Sequence, residues 1–398
     1  MINLALIGLG GYASVYVNYA LDRLDERVNI VGVADIRPES CKRLDEFKSR
    51  GIPVYTSDAE LFKEKKVDLA VICTPIHCHA DNIISALENG ANVLCEKPLC
   101  ADIGDVDRID AAARRANRFV YIGYQWSFSD AILSLKRDII NNRFGKCLSA
   151  KTLVLWPRSV AYFSRSWGGR IRLDNGALVY DSIANNAAAH YLHNILFLLG
   201  GDGESLSPSE LTAELYRTNE IENFDTAKID MKFENGATAH FVASHACETD
   251  EEPVFEMVFE RARVYYSQLK TDITSRLMPS EYDTYDNVMA ITEDGERIDY
   301  GTPFDDVNKK LICAIESTVE GTPRKYACTY RSAAVHTSAI NRVQREFEIS
   351  PLNDYDTVTR DQPGWGKGHT FRVARGLTER LVECYLDPQL KIKIGEKL

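Results

Sequence analysis

An apolar run at residues 3–7 leads directly into the segment GLGGYA, residues 8–13, near the start of the chain. A strand that ends in glycines and opens a helix is typical of the turn that holds a dinucleotide pyrophosphate in a Rossmann fold. Gly8 would form the tight turn, Gly10 would let the backbone approach the phosphates, and Ala13 would allow close helix packing. The predicted residues of this cofactor turn are Gly8, Gly10, Gly11, Tyr12 and Ala13.

Asp35 ends the second apolar run, VGVAD, roughly twenty residues beyond the glycine turn, where a dinucleotide site carries an acid. A glycine turn alone also fits an ordinary connection between a strand and a helix, so Asp35 is what favours a cofactor site. A carboxylate here bonds the ribose hydroxyls and repels a 2′-phosphate, whereas Arg37 could accommodate that phosphate. NAD is therefore predicted in preference to NADP.

Residues 1–123 alternate short apolar runs with amphipathic helical stretches. This alternation predicts an α/β fold, a doubly wound parallel sheet with crossover helices. The runs are apolar nearly throughout, as expected for strands that are covered on both faces. The predicted strands are residues 3–7, 28–34, 69–73, 93–96 and 119–123.

The pattern changes after Gly123. Residues 211–266 form alternating runs separated by turn residues, and Asn235-Gly236 is a strong hairpin signal. A second, α+β domain with a mainly antiparallel sheet follows from this pattern. The predicted domains are residues 1–123, residues 124–345, and a C-terminal extension at 346–398 that contains an irregular connection at 353–368 and a terminal helix at 376–385.

The composition excludes several partner classes. The net charge is -11 without a basic block, so nucleic acid and anionic membranes are not expected to bind. No stretch approaches the roughly 18 apolar residues of a membrane span. Ten scattered cysteines and a start without a secretion signal predict reduced thiols and a cytoplasmic location. A small-molecule ligand remains the expected partner.

Lys97 follows the fourth predicted strand in the sequence Glu96-Lys97-Pro98. Ligands of open α/β sheets bind at the carboxyl ends of the strands, and Pro98 favours an extended Lys97. A partly desolvated lysine loses proton affinity, so it can act as an acid or base near neutral pH. Taken alone, Lys97 also fits an ordinary surface cation.

These motifs together resemble the Gfo/Idh/MocA family of glucose–fructose oxidoreductases and inositol dehydrogenases. The resemblance covers about residues 1–345 and is weaker in the last fifty. It implies a Rossmann domain followed by an α+β domain whose large open sheet commonly forms an oligomer interface, so a homodimer or homotetramer is expected. The matching segments are residues 8–13, Cys73-Thr74-Pro75 with His79, Glu96-Lys97-Pro98, and residues 176–200 with His190.

The resemblance also implies a reaction, hydride transfer to or from a secondary hydroxyl or carbonyl carbon of a sugar, polyol or sugar derivative. In that family the lysine of Glu-Lys-Pro and a helical histidine flank the reacting carbon, which assigns Lys97 and His190 as acid and base. Further residues on the cofactor side are predicted to be Thr74, Pro75, His79, Glu96 and Lys97.

A helix predicted at residues 186–199 places Asn186, His190 and His193 at i, i+4 and i+7, on one face. Family members typically carry aspartates at the first and third of these places. Asn186 can orient a substrate but cannot exchange a proton. Asp181 is out of phase with this face and is predicted to be the helix N-cap.

The candidate substrate residues extend beyond the two proton carriers. A buried tryptophan and interior histidines are the alternatives to a substrate role for Trp126, His190 and His193. The full predicted set is Lys97, Gln125, Trp126, Arg165, Trp167, Asn186, His190 and His193.

Cys73, His77, Cys78 and His79 form one cluster of possible metal ligands. Their spacing does not match a zinc site, so no metal is predicted. Two other functions stay open. One is an NAD-dependent, redox-neutral glycosidase or lyase, and the other is a non-catalytic, dinucleotide-responsive regulatory protein.

Overall fold

The structure, a computed structural model, describes residues 1–23, 25–283, 285–304, 306–362 and 366–392. The chain folds into two compact units. Unit 1 comprises residues 1–129, 202–204 and 304–337, and unit 2 comprises residues 130–201, 205–303 and 338–398.

Unit 1 contains a six-stranded parallel sheet in the order β3-β2-β1-β4-β5-β6. The predicted doubly wound sheet is confirmed. The structure adds a two-residue strand, β3, which the sequence did not predict because two residues are too few to show a pattern. The strand order reverses between β1 and β4, where such sheets bind ligands. The strands are β1 (Ile2–Ile7), β2 (Val28–Ala34), β3 (Val54–Tyr55), β4 (Leu69–Ile72), β5 (Asn92–Cys95) and β6 (Val120–Ile122).

The crossover helices of unit 1 bury their apolar faces and leave charged side chains outside. In α4, Ile83, Ala86 and Leu87 are buried, at the spacing of one helical face. The helices are α1 (Ser14–Asp22), α2 (Leu44–Ser49), α3 (Asp58–Glu64), α4 (His79–Glu88) and α5 (Gly104–Ala116).

Unit 2 is built on a nine-stranded mixed sheet in the order β14-β13-β12-β11-β7-β10-β9-β8-β15. Its pairs are antiparallel except β7 with β10 and β8 with β15. The hairpin predicted at Asn235-Gly236 joins β9 to β10. The strands are β7 (Cys147–Leu155), β8 (Glu210–Arg217), β9 (Thr226–Lys232), β10 (Thr238–Ser244), β11 (Glu251–Phe259), β12 (Ala262–Ser267), β13 (Met289–Thr292), β14 (Arg297–Asp299) and β15 (Ile349–Pro351).

Helices complete both units. Among the described residues, no helix is long and apolar enough to cross a membrane. The remaining helices are α6 (Asp130–Ile140), α7 (Ala189–Leu199), α8 (Asp272–Leu277), α9 (Lys309–Glu320), α10 (Tyr330–Glu346) and α11 (Leu377–Leu386).

The structure divides the chain differently from the predicted domains. Residues 304–337, with α9, belong to unit 1, although they were predicted in the second domain. The reason is packing, because α9 buries Leu311, Ala314 and Ile315 and contacts β4 and β5. Sequence periodicity shows that a helix has an apolar face but not which sheet that face covers.

The predicted C-terminal extension is part of unit 2. The segment at 353–368 was predicted to be irregular, but its described residues largely belong to two antiparallel strands, β16 (Tyr355–Gln362) and β17 (Gly366–Ala374). Residues 363–365 of this segment lie outside the described residues. The predicted terminal helix is α11, which packs on β7 and β10. Leu381 of α11 belongs to the same buried cluster as Leu153 and Val242 of those strands.

Leu381→Ala is expected to destabilise unit 2 by about 2–5 kcal/mol, because it leaves a cavity in a closely packed core. Leu386→Ala, in the same helix, is the matched control, since Leu381 has 0% of its surface exposed and Leu386 has 48%. Urea unfolding measures both. Equal, small effects would show that α11 does not support this core.

Candidate active site

The glycine turn has the conformation that a dinucleotide requires. Gly8 has a φ of +86°, and a Cβ there would lie 2.5 Å from the carbonyl oxygen of Cys73, so only glycine fits. A Cβ added at Gly11 would meet no heavy atom within 4 Å outside the adjacent residues, so space is open beside the backbone. A short 3-10 turn at Gly11–Ala13 continues into α1. Its backbone N–H groups and the helix dipole suit the NAD pyrophosphate.

Asp35 is bound to the glycine turn. Its Oδ2 accepts a hydrogen bond from the backbone N–H of Leu9 at 2.7 Å, and its Oδ1 accepts one from the N–H of Arg37 at 2.8 Å. The side chain of Arg37 is exposed. The carboxylate therefore braces the turn and also lies at the end of β2, where the ribose of a dinucleotide binds.

His79 connects the turns that follow β4 and β5. Its Nδ1 lies 2.7 Å from the carbonyl oxygen of Pro98, and its Nε2 lies 2.8 Å from that of Thr74. Burial lowers the pKa of His79 although both carbonyl contacts favour the charged ring. Pro75 begins the short 3-10 turn before α4, and Thr74 donates its hydroxyl to Asn82 at 2.8 Å. These residues hold the sheet edge in a fixed shape.

Lys97 lies beyond the end of β5 and is half-buried. Its backbone N–H donates to Glu96 Oε2 at 3.2 Å, and its bond to Pro98 is cis. Glu96 itself is buried, and its Oε1 accepts from the Tyr16 hydroxyl at 2.5 Å. Glu96 therefore fixes the backbone of Lys97 from inside unit 1, a role that differs from its predicted contact with the cofactor.

A buried lysine of α9, Lys310, completes this arrangement. Its Nζ forms a short ion pair with Glu96 Oε1 and lies 3.2 Å from the Tyr12 hydroxyl. It also lies 4.7 Å from the centre of the Tyr12 ring and 5.3 Å from that of Tyr16, as cation–π contacts do. Lys310 thus joins the cofactor turn to the turn that carries Lys97. Sequence reasoning missed this contact, because the partners are 214 residues apart.

The two charges stabilise each other. Burial opposes the charged form of Glu96, but the Lys310 ammonium and the Tyr16 hydroxyl outweigh it and hold the pKa of this carboxyl below its ordinary value. Burial likewise opposes the charged form of Lys310, and Glu96 outweighs it and raises the pKa of the ammonium. Both groups are therefore ionised at neutral pH.

In unit 2, α7 begins at Ala189, so the helix predicted from residue 186 starts three residues too early. Asn186 lies in the preceding turn, where its N–H donates to the Ser182 carbonyl at 2.9 Å. The neighbouring Asn185 donates its side-chain amide to the Tyr180 carbonyl at 3.1 Å. The Asn185 side chain competes in this way with helical hydrogen bonds, whereas the Asn186 N–H makes an i→i−4 bond within the preceding turn. The prediction of one continuous helix through Asn186, His190 and His193 is therefore wrong.

His190 is the second residue of α7 and is half-buried, with its ring centre 6.4 Å from that of Tyr191. His193 has 0% of its surface exposed, and its ring stacks on Phe197 at 5.7 Å. The structure places His193 in the core, which contradicts its predicted substrate contact. Helical spacing cannot distinguish a cleft face from a core face.

Trp126 is also a core residue. It is 1% exposed, and its ring meets the edge of Phe304 at 5.3 Å, which favours the alternative of a buried tryptophan over the predicted substrate contact. Gln125 is half-buried at the start of the same short 3-10 turn, Gln125–Phe128.

Asp181 does not cap α7, since the N-cap is Ala188 and no side chain bonds there. Its Oδ2 accepts from the N–H of Gly169 at 2.6 Å, and its Oδ1 accepts from Asn186 Nδ2 at 2.7 Å. Arg165 Nη2 lies 3.9 Å from the same carboxylate. The turn before α7 therefore contains a buried acid that the sequence pattern had assigned to a helix end.

The guanidinium of Arg165 lies between two aromatic rings, 4.4 Å from the centre of Tyr162 and 4.2 Å from that of Trp167. Contact with two rings restricts its orientation. In unit 2 the structure thus brings Arg165, Trp167 and Asn186 together around Asp181. In the part of the chain that is described, no three His, Cys, Asp or Glu side chains form a group that could hold a metal.

A glycine turn at the switch point of a parallel sheet, braced by an acid at the end of β2, defines a Rossmann-type dinucleotide-binding protein. Two family models match the chain: the oxidoreductase family with an NAD-binding Rossmann fold at residues 2–124, and the GFO/IDH/MocA C-terminal domain at residues 132–265. The chain belongs to the Gfo/Idh/MocA family, and its N-terminal part is an NAD-binding Rossmann domain.

Named relatives include a myo-inositol 2-dehydrogenase of Thermotoga maritima, 27% identical over 145 residues, which are 36% of this chain and 42% of that protein. A 2,7-anhydro-N-acetylneuraminate hydratase of Mediterraneibacter gnavus is 28% identical over 206 residues, 50% of this chain and 51% of that one. The chain thus matches less than two thirds of the length of either relative.

Among solved structures, the WlbA dehydrogenase of Bordetella pertussis, in complex with NADH and UDP-GlcNAcA, superimposes with a TM-score of 0.65. The two chains are 18% identical, and the match covers 87% of this chain and 97% of the other. This likeness confirms the predicted fold of a Rossmann domain followed by a domain with a large open sheet.

Lys310→Met is expected to lower the free energy of unfolding by about 3–5 kcal/mol at neutral pH, because it leaves Glu96 charged and buried without its partner. In the wild-type protein the lowered pKa of Glu96 contributes stability above its ordinary pKa of 4.5, which is lost as the pH falls through the lowered pKa. The difference between variant and wild type should therefore shrink towards acid pH.

Urea unfolding at several pH values measures this difference. Lys310→Met combined with Glu96→Gln removes both charges and should recover part of the loss, which a double-mutant cycle resolves. A pH-independent loss that adds to that of Glu96→Gln would contradict the ion pair.

Proposed function

We propose that the protein is an NAD-dependent oxidoreductase that acts on a secondary hydroxyl or carbonyl group of a sugar, polyol or sugar derivative. The observation that carries this proposal is the connection of Lys97 to the cofactor turn inside unit 1. Lys97 is tied to Glu96, Glu96 to Lys310, and Lys310 to Tyr12. The backbone of Lys97 is thereby fixed at the sheet edge where a dinucleotide binds.

When bound, NAD or NADH would supply the hydride acceptor or donor for the reacting carbon, and Gly8, Gly10 and Asp35 are the residues that would hold it. Side chains of the protein accept or donate the hydroxyl proton. Lys97, half-buried beyond β5, and His190, half-buried at the start of α7, are the acid and base. Asn186 orients a substrate hydroxyl but takes no proton. The names of the relatives, a dehydrogenase of myo-inositol and a dehydrogenase with a bound sugar nucleotide, support a carbohydrate-like substrate.

A redox-neutral reaction is the second candidate, since the relative from Mediterraneibacter gnavus is named a hydratase. A screen of polyols, aldoses, ketosugars and uronates with purified protein separates the two. An oxidoreductase changes the NADH absorbance in proportion to product, whereas a redox-neutral enzyme forms product without a net change. Absence of NAD(H) binding would contradict both.

Assembly through the nine-stranded sheet stays a prediction, and light scattering tests it. A cytoplasmic location also stays a prediction.

Lys97→Ala should lower turnover by about two to four orders of magnitude, the usual contribution of a positioned acid or base. NAD affinity should change little. Lys48→Ala is the control, because the Lys48 side chain is 57% exposed on α2. Steady-state kinetics and NAD titration measure both, and a fully active Lys97→Ala enzyme would remove Lys97 from the mechanism.

Cofactor preference depends on Asp35. Asp35→Asn keeps an oxygen for the Leu9 N–H but removes the charge that repels a 2′-phosphate, so it should raise NADP affinity with a modest loss for NAD. Asp35→Ala loses the brace as well and should weaken both cofactors. Calorimetric titration of each cofactor compares the variants. Equal NAD and NADP affinity in the wild-type protein would overturn the proposed preference.

A further inference from the structure

Asp181 and Asn186 form a carboxylate–amide pair in the turn before α7. Asn186 Nδ2 donates to Asp181 Oδ1 at 2.7 Å. Asp181 is 2% exposed, whereas Asn186 is half-buried. The negative charge is therefore enclosed, and Asn186 is the more exposed member of the pair.

The surroundings of Asp181 fix the direction of this hydrogen bond. The N–H of Gly169 donates to Oδ2 at 2.6 Å, and the Arg165 guanidinium lies 3.9 Å away. Tyr162 is a further titratable group that interacts with this carboxylate and with Arg165. An ionised carboxylate only accepts hydrogen bonds, so Asn186 must turn its NH₂ group towards Asp181. The carbonyl arm of the planar amide then points elsewhere.

The backbone around Gly169 makes this arrangement specific. Gly169 has a φ of +66°, and a Cβ there would lie 2.4 Å from Ile221 Cγ2. Its carbonyl accepts from the N–H groups of Glu222 and Asn223 at 3.0 and 2.9 Å. The donor that binds Asp181 Oδ2 is therefore held in place from both sides, which leaves Oδ1 for Asn186.

We propose that Asp181 is a positioning residue that sets the amide of Asn186, so that Asn186 Oδ1 accepts a hydrogen bond from a hydroxyl group of the substrate. This inference rests on the proposed function and adds the chemistry of one substrate contact. The contact requires a hydrogen-bond donor on the substrate. It disfavours a carboxylate at that point, because the amide oxygen offers no donor hydrogen to an anion.

Exchanging the two side chains tests the polarity of the pair. Asp181→Asn has one oxygen for two donors, so it either loses the Gly169 bond or forces Asn186 to flip. Asn186→Asp places two carboxylates in hydrogen-bond contact, where they can only share a proton. The double variant Asp181→Asn/Asn186→Asp restores both of these hydrogen bonds, since the new amide accepts from Gly169 and donates to the new carboxylate, and it moves the negative charge to position 186.

The experiment compares the wild-type protein, both single variants and the double variant, with Asp174→Asn as a control, because the Asp174 side chain is 90% exposed in the same segment. Melting temperature reports the pair without any substrate. Each single variant should melt lower than the double variant. With a substrate from the screen, each single variant should lose roughly tenfold to a hundredfold in kcat/KM, the effect of one buried polar group left without its partner.

The double variant should recover substrate KM to within about threefold of wild type and gain an acidic limb in its pH–rate profile, since a carboxylate now contacts the substrate. Losses that simply add in the double variant would overturn the proposal. So would coupling in melting temperature with kcat/KM unchanged in all variants, which would make the pair structural only. NADH binding without turnover of any screened compound would instead contradict the proposed function, and the inference with it.

Discussion

The buried ion pair between Lys310 and Glu96 connects the three parts of unit 1 on which the candidate site depends. Lys310 comes from α9, Glu96 from the end of β5, and the Tyr12 hydroxyl beside Lys310 from the cofactor turn. A charged pair in this position costs desolvation energy, and only close contact with further hydrogen bonds offsets that cost. Here Tyr16 and the N–H of Lys97 supply those bonds. The backbone position of Lys97 therefore depends on contacts among three separate segments of unit 1.

Unit 2 solves a similar problem with a different pair of side chains. The buried Asp181 carboxylate accepts a hydrogen bond from the N–H of Gly169 and lies beside the Arg165 guanidinium. It also accepts a hydrogen bond from the side-chain amide of Asn186. An enclosed carboxylate can fix the orientation of a neighbouring amide, because only the NH₂ group of the amide can donate a hydrogen bond to it. In each unit a buried carboxylate thus bonds to a residue for which we propose a role in the reaction, Lys97 in unit 1 and Asn186 in unit 2.

Local sequence patterns were enough to predict the elements that depend only on neighbouring residues. The glycine turn, Asp35 and the strands of the parallel sheet follow from spacing and from apolar runs, and the structure confirms the sheet. Contacts between distant segments were not accessible in this way. Lys310 appears in the sequence as one more lysine in an amphipathic helix, and only the fold brings it to Glu96. The assumed continuous helix at residue 186 hid the contact between Asp181 and Asn186. The burial of Trp126 and His193 depends on packing that the sequence pattern does not show.

Hydride transfer to a carbon of a sugar-like molecule, with the proton managed by the chain's own side chains, is the reaction that both units are proposed to serve. It can be followed with two preparations of NADH, each deuterated at C4 on one face, together with a keto form of a substrate found in the screen and mass spectrometry of the product. In one of the two wild-type reactions we expect deuterium on the new carbinol carbon. A reduced product that carries no deuterium from either face of the labelled cofactor would rule out direct hydride transfer.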